Sequence, residues 1–391
     1  MRKTLLTLLA AACALGAGLA GAAAQSFQTA APHAILIDAD SGSVLFEKAA
    51  DERFSPASMA KLMTTDIVFE ALKSGRLSMD TDFTVTEDAW KRGGAGGGGS
   101  SMFAQVNSRI KMSDLLRGLI VQSGNDAAIT IAENMAGSEE AFAGLMNQRA
   151  KEIGLTNSTF RNATGYSAPD QKVTARDMAK LALHIIDTYP DYYKIFSEKE
   201  FTWNKIRQPN RNPLLNSMEG ADGLKTGFTK ESGYGMVGSA VQNGTRLIVV
   251  VNGLEDPEDR ATEAKKMLEW GFRNFETRTL IAADQPVGYA KVFGGESRSV
   301  KLVAKTPVKV MVHKNGSDKL IARVVYSGPV RAPVEAGQQV GVVRVWRSGN
   351  IAVETPVYAA DAIRTGSTMR RAIDGASELV IGMFRAGAEK L

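Results

Sequence analysis

The sequence predicts an α+β fold: an antiparallel sheet covered by helices, followed by a small all-β domain and a C-terminal amphipathic helix. Three observations carry this reading. A strand hairpin pattern near residue 34 and three strand patterns between 223 and 253 enclose a long run of helical periodicity, so the sheet must be assembled from both ends of that region. After about residue 277 the texture changes to short Val-rich segments separated by Gly, Pro and Asn turns. From Arg370 to Leu391, apolar and charged side chains segregate to opposite sides at 100° per residue.

Residues 1–24 read as a secretory signal, with Arg2 and Lys3 at the start, an apolar run from Leu5 to Leu19, and Ala22-Ala23-Ala24 as the cleavage site. A main domain is expected over 25–277. It opens with Ala34–Ile37, the turn Asp40-Ser41-Gly42, and Val44–Phe46. Ser55 is the expected N-cap and Pro56 the first position of an apolar helix that ends at Gly75. Helices are expected from a Ser113 cap to Ala136, from Ser138 to Gly154, and from Thr174 to Thr188 before Pro190. Strands return at Gly223–Lys230, Gly233–Val241 and Arg246–Gly253; Asn243-Gly244 makes the last two a hairpin. Asp256 then opens a helix to about Phe275. The β domain is expected over 278–365, with strands at Val300–Leu302, Val308–Val312, Ile321–Tyr326, Val340–Val345 and Ile351–Tyr358. The tail, 366–391, is too charged to span a bilayer; it suits either a membrane interface or the protein's own surface.

Composition narrows the function classes. With 391 residues, 44% hydrophobic and 23% charged, the chain has apolar content for two cores. Its one cysteine, Cys13, lies in the signal segment, so the exported chain cannot depend on disulfides. Cleavage would lower the formal net charge from +5 to +3, spread along the chain, with no basic stripe or module for nucleic acid. His33, His184 and His313 are far apart and lack neighbours at metal-ligand spacing, so neither a metal nor a cofactor is expected.

Chemistry is concentrated in three short motifs. Ser-x-x-Lys occurs twice, at Ser58/Lys61 and Ser108/Lys111, and Ser-x-Asn twice, at Ser123/Asn125 and Ser348/Asn350; Lys225-Thr226-Gly227 occurs once. Only the set in order has the composition of a serine acyl-transfer site. On a helix, Ser58 and Lys61 share a face. A serine hydroxyl needs a neighbour to take its proton, and Lys61 is the available base. Its pKa of ~10.4 must fall by roughly 3 units, about 4 kcal/mol, for the neutral amine to be common near pH 7. Burial and a second cation, Lys225, both push in that direction. Ser108/Lys111 lies on extended chain, where residues three apart face opposite ways. Ser348-Gly349-Asn350 falls on a hairpin turn.

Ser123-Gly124-Asn125 interrupts a helical stretch. It suits either a site wall, with Ser123 relaying a proton and Asn125 bonding a substrate amide, or a buried turn with its groups satisfied. On a strand, Gly227 permits close approach, Lys225 and Thr226 offer groups to a carboxylate, and the Phe228 N–H can join that of Ser58 as an oxyanion hole. The glycine-rich run 93–101 lacks the Gly-Lys-Ser/Thr ending of a phosphate cradle and reads as a flexible loop bordering the site.

These motifs, with Pro56-Ala57 before the serine, Asp222-Gly223-Leu224 before the lysine and Trp270-Gly271-Phe272 in the last helix, make the chain resemble low-molecular-mass penicillin-binding proteins, serine-type D-alanyl-D-alanine carboxypeptidases of β-lactamase/transpeptidase-like fold. The resemblance implies removal of the terminal D-alanine from peptidoglycan pentapeptides through a Ser58 ester, inhibition by β-lactams, and a β-sandwich second domain. It implies a periplasmic enzyme whose C-terminal helix rests on the inner-membrane surface, and it marks Arg260 as the arginine for the substrate carboxylate. Two departures stand out. Phe228 occupies a position where some members carry histidine, and Asn157–Asp170 contains no glutamate for the deacylating role of class A β-lactamases. The alternatives are an endopeptidase or β-lactamase on the same fold, or a catalytically idle cell-wall scaffold.

Overall fold

The structure, a computed structural model, describes residues 27–375; the expected signal segment with Cys13, and the tail beyond 375, lie outside the described residues. The first half of the chain runs β1 (His33–Asp38), β2 (Val44–Lys48), α1 (Lys61–Lys73), β3 (Asp82–Thr84), β4 (Arg109–Lys111), α2 (Met112–Ile120), α3 (Asn125–Ala136), α4 (Glu139–Ile153), α5 (Ala175–Thr188) and the short α6 (Pro190–Tyr193). A hairpin of β5 (Glu200–Trp203) and β6 (Ile206–Pro209) and the turn α7 (Leu214–Ser217) lead to β7 (Ala221–Thr229), β8 (Gly233–Gln242), β9 (Thr245–Leu254) and α8 (Pro257–Asn274).

The main sheet is antiparallel in the order β2-β1-β9-β8-β7, so the N-terminal hairpin closes against the last strands as the patterning predicts. Side-chain alternation in its strands builds two cores. Ile35, Val237, Ile248 and Val250 point into a core shared with α1 to α5, whereas Leu36, Met236, Leu247, Val249 and Val251 meet Ala264, Met267 and Leu268 of α8. The result is a three-layer arrangement with β7 at one edge of the sheet. Local signals place the elements. Ser138, Thr174 and Asp256 cap α4, α5 and α8 by accepting from Ala141, Asp177 and Glu258 N–H groups, and the Asn243-Gly244 turn has φ of 50° and 79°, as a two-residue hairpin requires.

Two expected caps are corrected. Ser55 makes no capping bond: Pro56 precedes a 3-10 turn at Ala57–Ala60, and the α-helix proper begins at Lys61. Ser58 therefore sits in the tighter lead-in turn, entered through Ala57 at φ 48°. Ser113 lies inside α2, whose cap is Lys111.

The remainder is all-β: β10 (Phe275–Ile281), β11 (Pro286–Phe293), β12 (Ser299–Val303), β13 (Val308–His313), β14 (Leu320–Tyr326), β15 (Val330–Arg331), β16 (Gln339–Arg347) and β17 (Asn350–Ala359). A six-stranded sheet, β14-β16-β17-β12-β11-β15, packs on the pair β10-β13 around a Val-rich core. β10, β11 and β15 lack the Val-rich signal and went unforeseen. β10 also runs across the expected junction at 277. Buried Arg347 joins this region to the main sheet, donating to the carbonyls of Val44 and Met311 at 2.7 Å each. Residues 368–375 are helical and fastened to the β region: the Gly294 N–H donates to Asp374 at 2.9 Å and Arg370 donates to the Glu296 carbonyl at 2.6 Å. No helix among the described residues is long and apolar enough to cross a membrane.

Candidate active site

Three segments remote in sequence meet where β7 runs along the 3-10 turn before α1. A Cβ on Gly227 would come within 3.0 Å of the Pro56 carbonyl oxygen and 3.2 Å of Met59, so a side chain there would press the strand and the serine turn apart by a few tenths of an ångström. The turn between α2 and α3 supplies the third side. Ser123 adopts φ 64°, which swings its hydroxyl toward β7 instead of continuing the helix. Together these elements line a cavity of about 570 Å³ that includes Ser58, Ser123, Asn125, Thr226, Gly227, Phe228 and Arg260. Lys61 and Lys225 lie just beneath it, 1% and 2% exposed.

The Lys61 Nζ is 3.0 Å from Ser58 Oγ, 2.7 Å from Asn125 Oδ1 and 2.5 Å from the Thr164 carbonyl oxygen. Burial brings its pKa down from 10.5 to about 7, against the opposing anionic charges of Asp126 and Glu139. The expected contribution of Lys225 is corrected here: burial lowers Lys61, and the repulsion between the two amines is felt at Lys225. That residue is pushed well below its ordinary value by burial first, then by Lys61, Arg260 and Arg211. The Lys225 amine donates to Ser123 Oγ at 2.8 Å and to the Thr226 carbonyl at 3.1 Å. The Asn125 oxygen is engaged by Lys61, and its Nδ2 lies beside Gly99 at the cavity wall.

Arg260 reaches the cavity from α8, its guanidinium 5.6 Å from the centre of the Tyr234 ring and its Nε buried without a hydrogen-bond partner. Phe228 is 48% exposed and stacks on the same Tyr234 at 4.1 Å between centroids. The glycine-rich run borders the cavity through Gly98, Gly99 and Ser100; it follows a π turn at Ala89–Gly93 and carries a 3-10 turn at Ala95–Gly97.

Sequence reasoning missed several contributors. The Asn157–Asp170 segment, which has no glutamate, supplies the Thr164 carbonyl, while Gly165 at φ 84° lets that loop lie directly on Ala57 and Ser58. Asp126, next to the Ser-Gly-Asn motif, accepts from Ser101, Met102 and Ala104 and so fixes the rim. Arg211 also lines the cavity. An Asn-Ala-Thr-Gly turn signal at 162–165 was the only sequence clue to the first of these.

The other candidates lie elsewhere. Ser108 bonds the Gln105 carbonyl and Lys111 pairs with Asp80 on the exposed β3–β4 hairpin. Ser348 and Gly349 form the β16–β17 turn.

The assembled groups suit acyl transfer: a hydroxyl beside a buried amine, a second hydroxyl on a second amine, and cationic groups with no carboxylate in the lining. Residues 20–255 match the family described as D-alanyl-D-alanine carboxypeptidase, and residues 275–365 match the penicillin-binding protein 5 C-terminal domain. The chain is 42% identical over 343 residues to D-alanyl-D-alanine carboxypeptidase DacC of Escherichia coli (strain K12), covering 87% of this chain and 86% of that one. It is 40% identical to the DacA carboxypeptidase of Haemophilus influenzae, covering 79% of each. Among solved structures, penicillin-binding protein 5 from Haemophilus influenzae superposes with a TM-score of 0.74 at 37% identity over 86% of this chain and 98% of that one. Penicillin-binding protein D2 from Listeria monocytogenes in an ampicillin-bound form gives 0.57 at 31% identity, over 63% and 98%.

Proposed function

The chain belongs to the D-alanyl-D-alanine carboxypeptidase family, and from that premise we propose that Ser58 is the nucleophile that carries the acyl group. The observation that carries this reading is the wholly buried Lys61 amine, 3.0 Å from Ser58 Oγ with a pKa near 7. About half of Lys61 is then neutral at pH 7, able to take a proton and later return it.

The terminal carboxylate of the substrate pairs with Thr226 and Arg260, with Lys225 behind them. The unpartnered Nε of Arg260 and the cationic lining support that orientation. Ser58 Oγ attacks the carbonyl carbon of the penultimate D-alanine as Lys61 accepts the hydroxyl proton. The negative oxygen that forms is taken by the backbone N–H groups of Ser58 and Phe228. Gly227 and the Nδ2 of Asn125 allow the substrate backbone to lie against the strand.

Collapse breaks the peptide bond. The leaving D-alanine nitrogen takes its proton through Ser123, held by Lys225, with Lys61 as the source. Water then attacks the ester, its proton passing to Lys61, and frees the shortened peptide and Ser58. A β-lactam enters the same cycle at its strained amide and stays bonded to Ser58, in keeping with the ampicillin-bound relative.

Labelling with fluorescent penicillin tests the nucleophile: wild type is acylated and Ser58→Ala is not, and equal labelling of both would end the assignment. Free D-alanine released from a pentapeptide by residues 25–375 separates a carboxypeptidase from an endopeptidase, a β-lactamase or an idle scaffold.

The finer reading of location is that residues 1–24 are removed on export and that 366–391 rest on the periplasmic face of the inner membrane. The helical 368–375 segment, tied to Gly294 and Glu296, supports a fixed starting point for that helix. Flotation with anionic vesicles should carry 25–391 and leave 25–375 behind; co-flotation of both would exclude the tail as anchor.

A further inference from the structure

Outside the three motifs, one carboxylate joins two walls of the cavity. Glu139, the first residue of α4, accepts from the Ala163 N–H at 3.1 Å through Oε1 and from Arg92 Nη2 at 2.8 Å through Oε2. Arg92 lies in the turn that opens the glycine-rich wall, and its own carbonyl accepts from the Tyr166 hydroxyl at 2.8 Å. Glycine-rich wall and 157–170 wall are thus fastened twice at Arg92, once through its side chain and once through its backbone.

The fastened point is next to the chemistry. The Ala163 N–H is held by Glu139 and its carbonyl accepts from Thr64 Oγ1 at 2.8 Å, so the residue leading into Thr164 is pinned through both of its backbone polar groups. The Thr164 carbonyl is the acceptor 2.5 Å from the Lys61 amine. Of the three acceptors around that amine it is the only one set by a loop instead of a helix or its lead-in turn.

We propose that Glu139 is a positioning residue for acylation: its carboxylate ties Arg92 of one wall to Ala163 of the other and so holds the Thr164 carbonyl where it fixes the Lys61 amine. The inference rests on Lys61 as the proton acceptor. Glu139 touches neither Ser58 nor Lys61 directly, but its charge reaches the amine, favouring the protonated form as Asp126 of α3 does. The other charged or titratable groups around the pair are Lys225 of β7, Tyr166 of the 157–170 loop, Arg92 and Asp88 of the π turn and its cap, and Glu133 of α3.

The test measures second-order acylation by a fluorescent penicillin from pH 5 to 9 in wild type, Glu139→Ala, Glu139→Gln, Arg92→Ala and Lys61→Ala. Glu139→Ala should lose at least about tenfold of the plateau rate, since a catalytic group displaced by a fraction of an ångström costs that much. Glutamine keeps an acceptor for Ala163 and should recover at least half of the logarithmic loss. Without the anion, its acid limb should shift below that of wild type, which a purely scaffolding residue would not cause. Arg92→Ala leaves the acid unpaired and should lower the plateau.

Plateau rates within twofold of wild type in the alanine variants, or an unmoved limb in Glu139→Gln, would overturn the proposal. Should Glu139→Ala not fold, the glutamine limb decides alone. If Lys61→Ala acylates like wild type, the base assignment itself fails; if it is inert while the Glu139 variants behave as wild type, only the positioning role is lost.

Discussion

The pH dependence of acylation is the sharpest consequence of the buried amine. Lys61 is lowered to about 7 because folding strips water from it and Asp126 and Glu139 only partly compensate. The neutral fraction is then about nine-tenths at pH 8, half at pH 7 and about one-hundredth at pH 5. Lowering the pH from 8 to 5 should therefore slow acylation roughly 90-fold, and raising it from 7 to 9 should gain only about twofold. A lysine left at ~10.4 behaves differently: its neutral fraction climbs about tenfold per pH unit across the whole interval, or roughly 100-fold from pH 7 to 9. The assay is the second-order rate constant for a fluorescent penicillin at concentrations far below saturation, so that the profile reports the free enzyme. A log-linear rise continuing through pH 9 would refute the burial argument, and a flat profile between 5 and 8 would refute Lys61 as the base.

The same burial makes a statement about stability. Lys61 has a lower pKa folded than unfolded, so between about 7 and 10.5 the unfolded chain holds more protons and stability rises with pH; the penalty is full below about 7 and vanishes above the unfolded value. Lys61→Met abolishes that titration, and its stability relative to wild type should fall by about 2–3 kcal/mol from pH 6 to pH 9 in urea unfolding. A difference that grows with pH would contradict the sign. Gly165→Ala should remain folded by circular dichroism yet lose acylation by about 100-fold or more, since the new Cβ would fall 1.8 Å from the Ala57 carbonyl oxygen and 3.0 Å from the Ser58 nitrogen at φ 84°. Gly144→Ala in α4, which meets nothing within 4 Å, is the control and should raise stability by up to about 1 kcal/mol with acylation intact; equal acylation by the two variants would show that the loop does not back the serine.

Much of this molecule was legible in one dimension. The caps of α4, α5 and α8, the Asn243-Gly244 hairpin and the interruption at Ser123-Gly124-Asn125 are local events, decided by the hydrogen bonds and dihedrals that those side chains favour. The spacing of Ser58 and Lys61 survived even though the α-helix starts at Lys61 instead of Pro56, because a 3-10 turn also brings residues three apart onto one face. Ser55 and Ser113 misled as caps because Ser/Thr/Asn/Asp preference is only statistical, and here Pro56 and Lys111 took the positions. β10, β11 and β15 were missed because exposed faces and paired edges demand little apolar alternation.

The sequence by itself determined which functional groups the protein owns: two serines, two lysines, an asparagine, an arginine and the glycine that lets a strand pass close to them. Only the tertiary structure decided what those groups are. Lys61 meets Asn125 and Thr164 across separations of 64 and 103 residues, and Lys225 meets Ser123 across 102. A turn signal at 162–165 marks a bend but not which atom its Thr164 carbonyl meets, and a carboxylate such as Glu139 acting through a loop has no signature in the chain. Charge state depends on how much water and which charges surround an atom, and those are properties of packing in three dimensions.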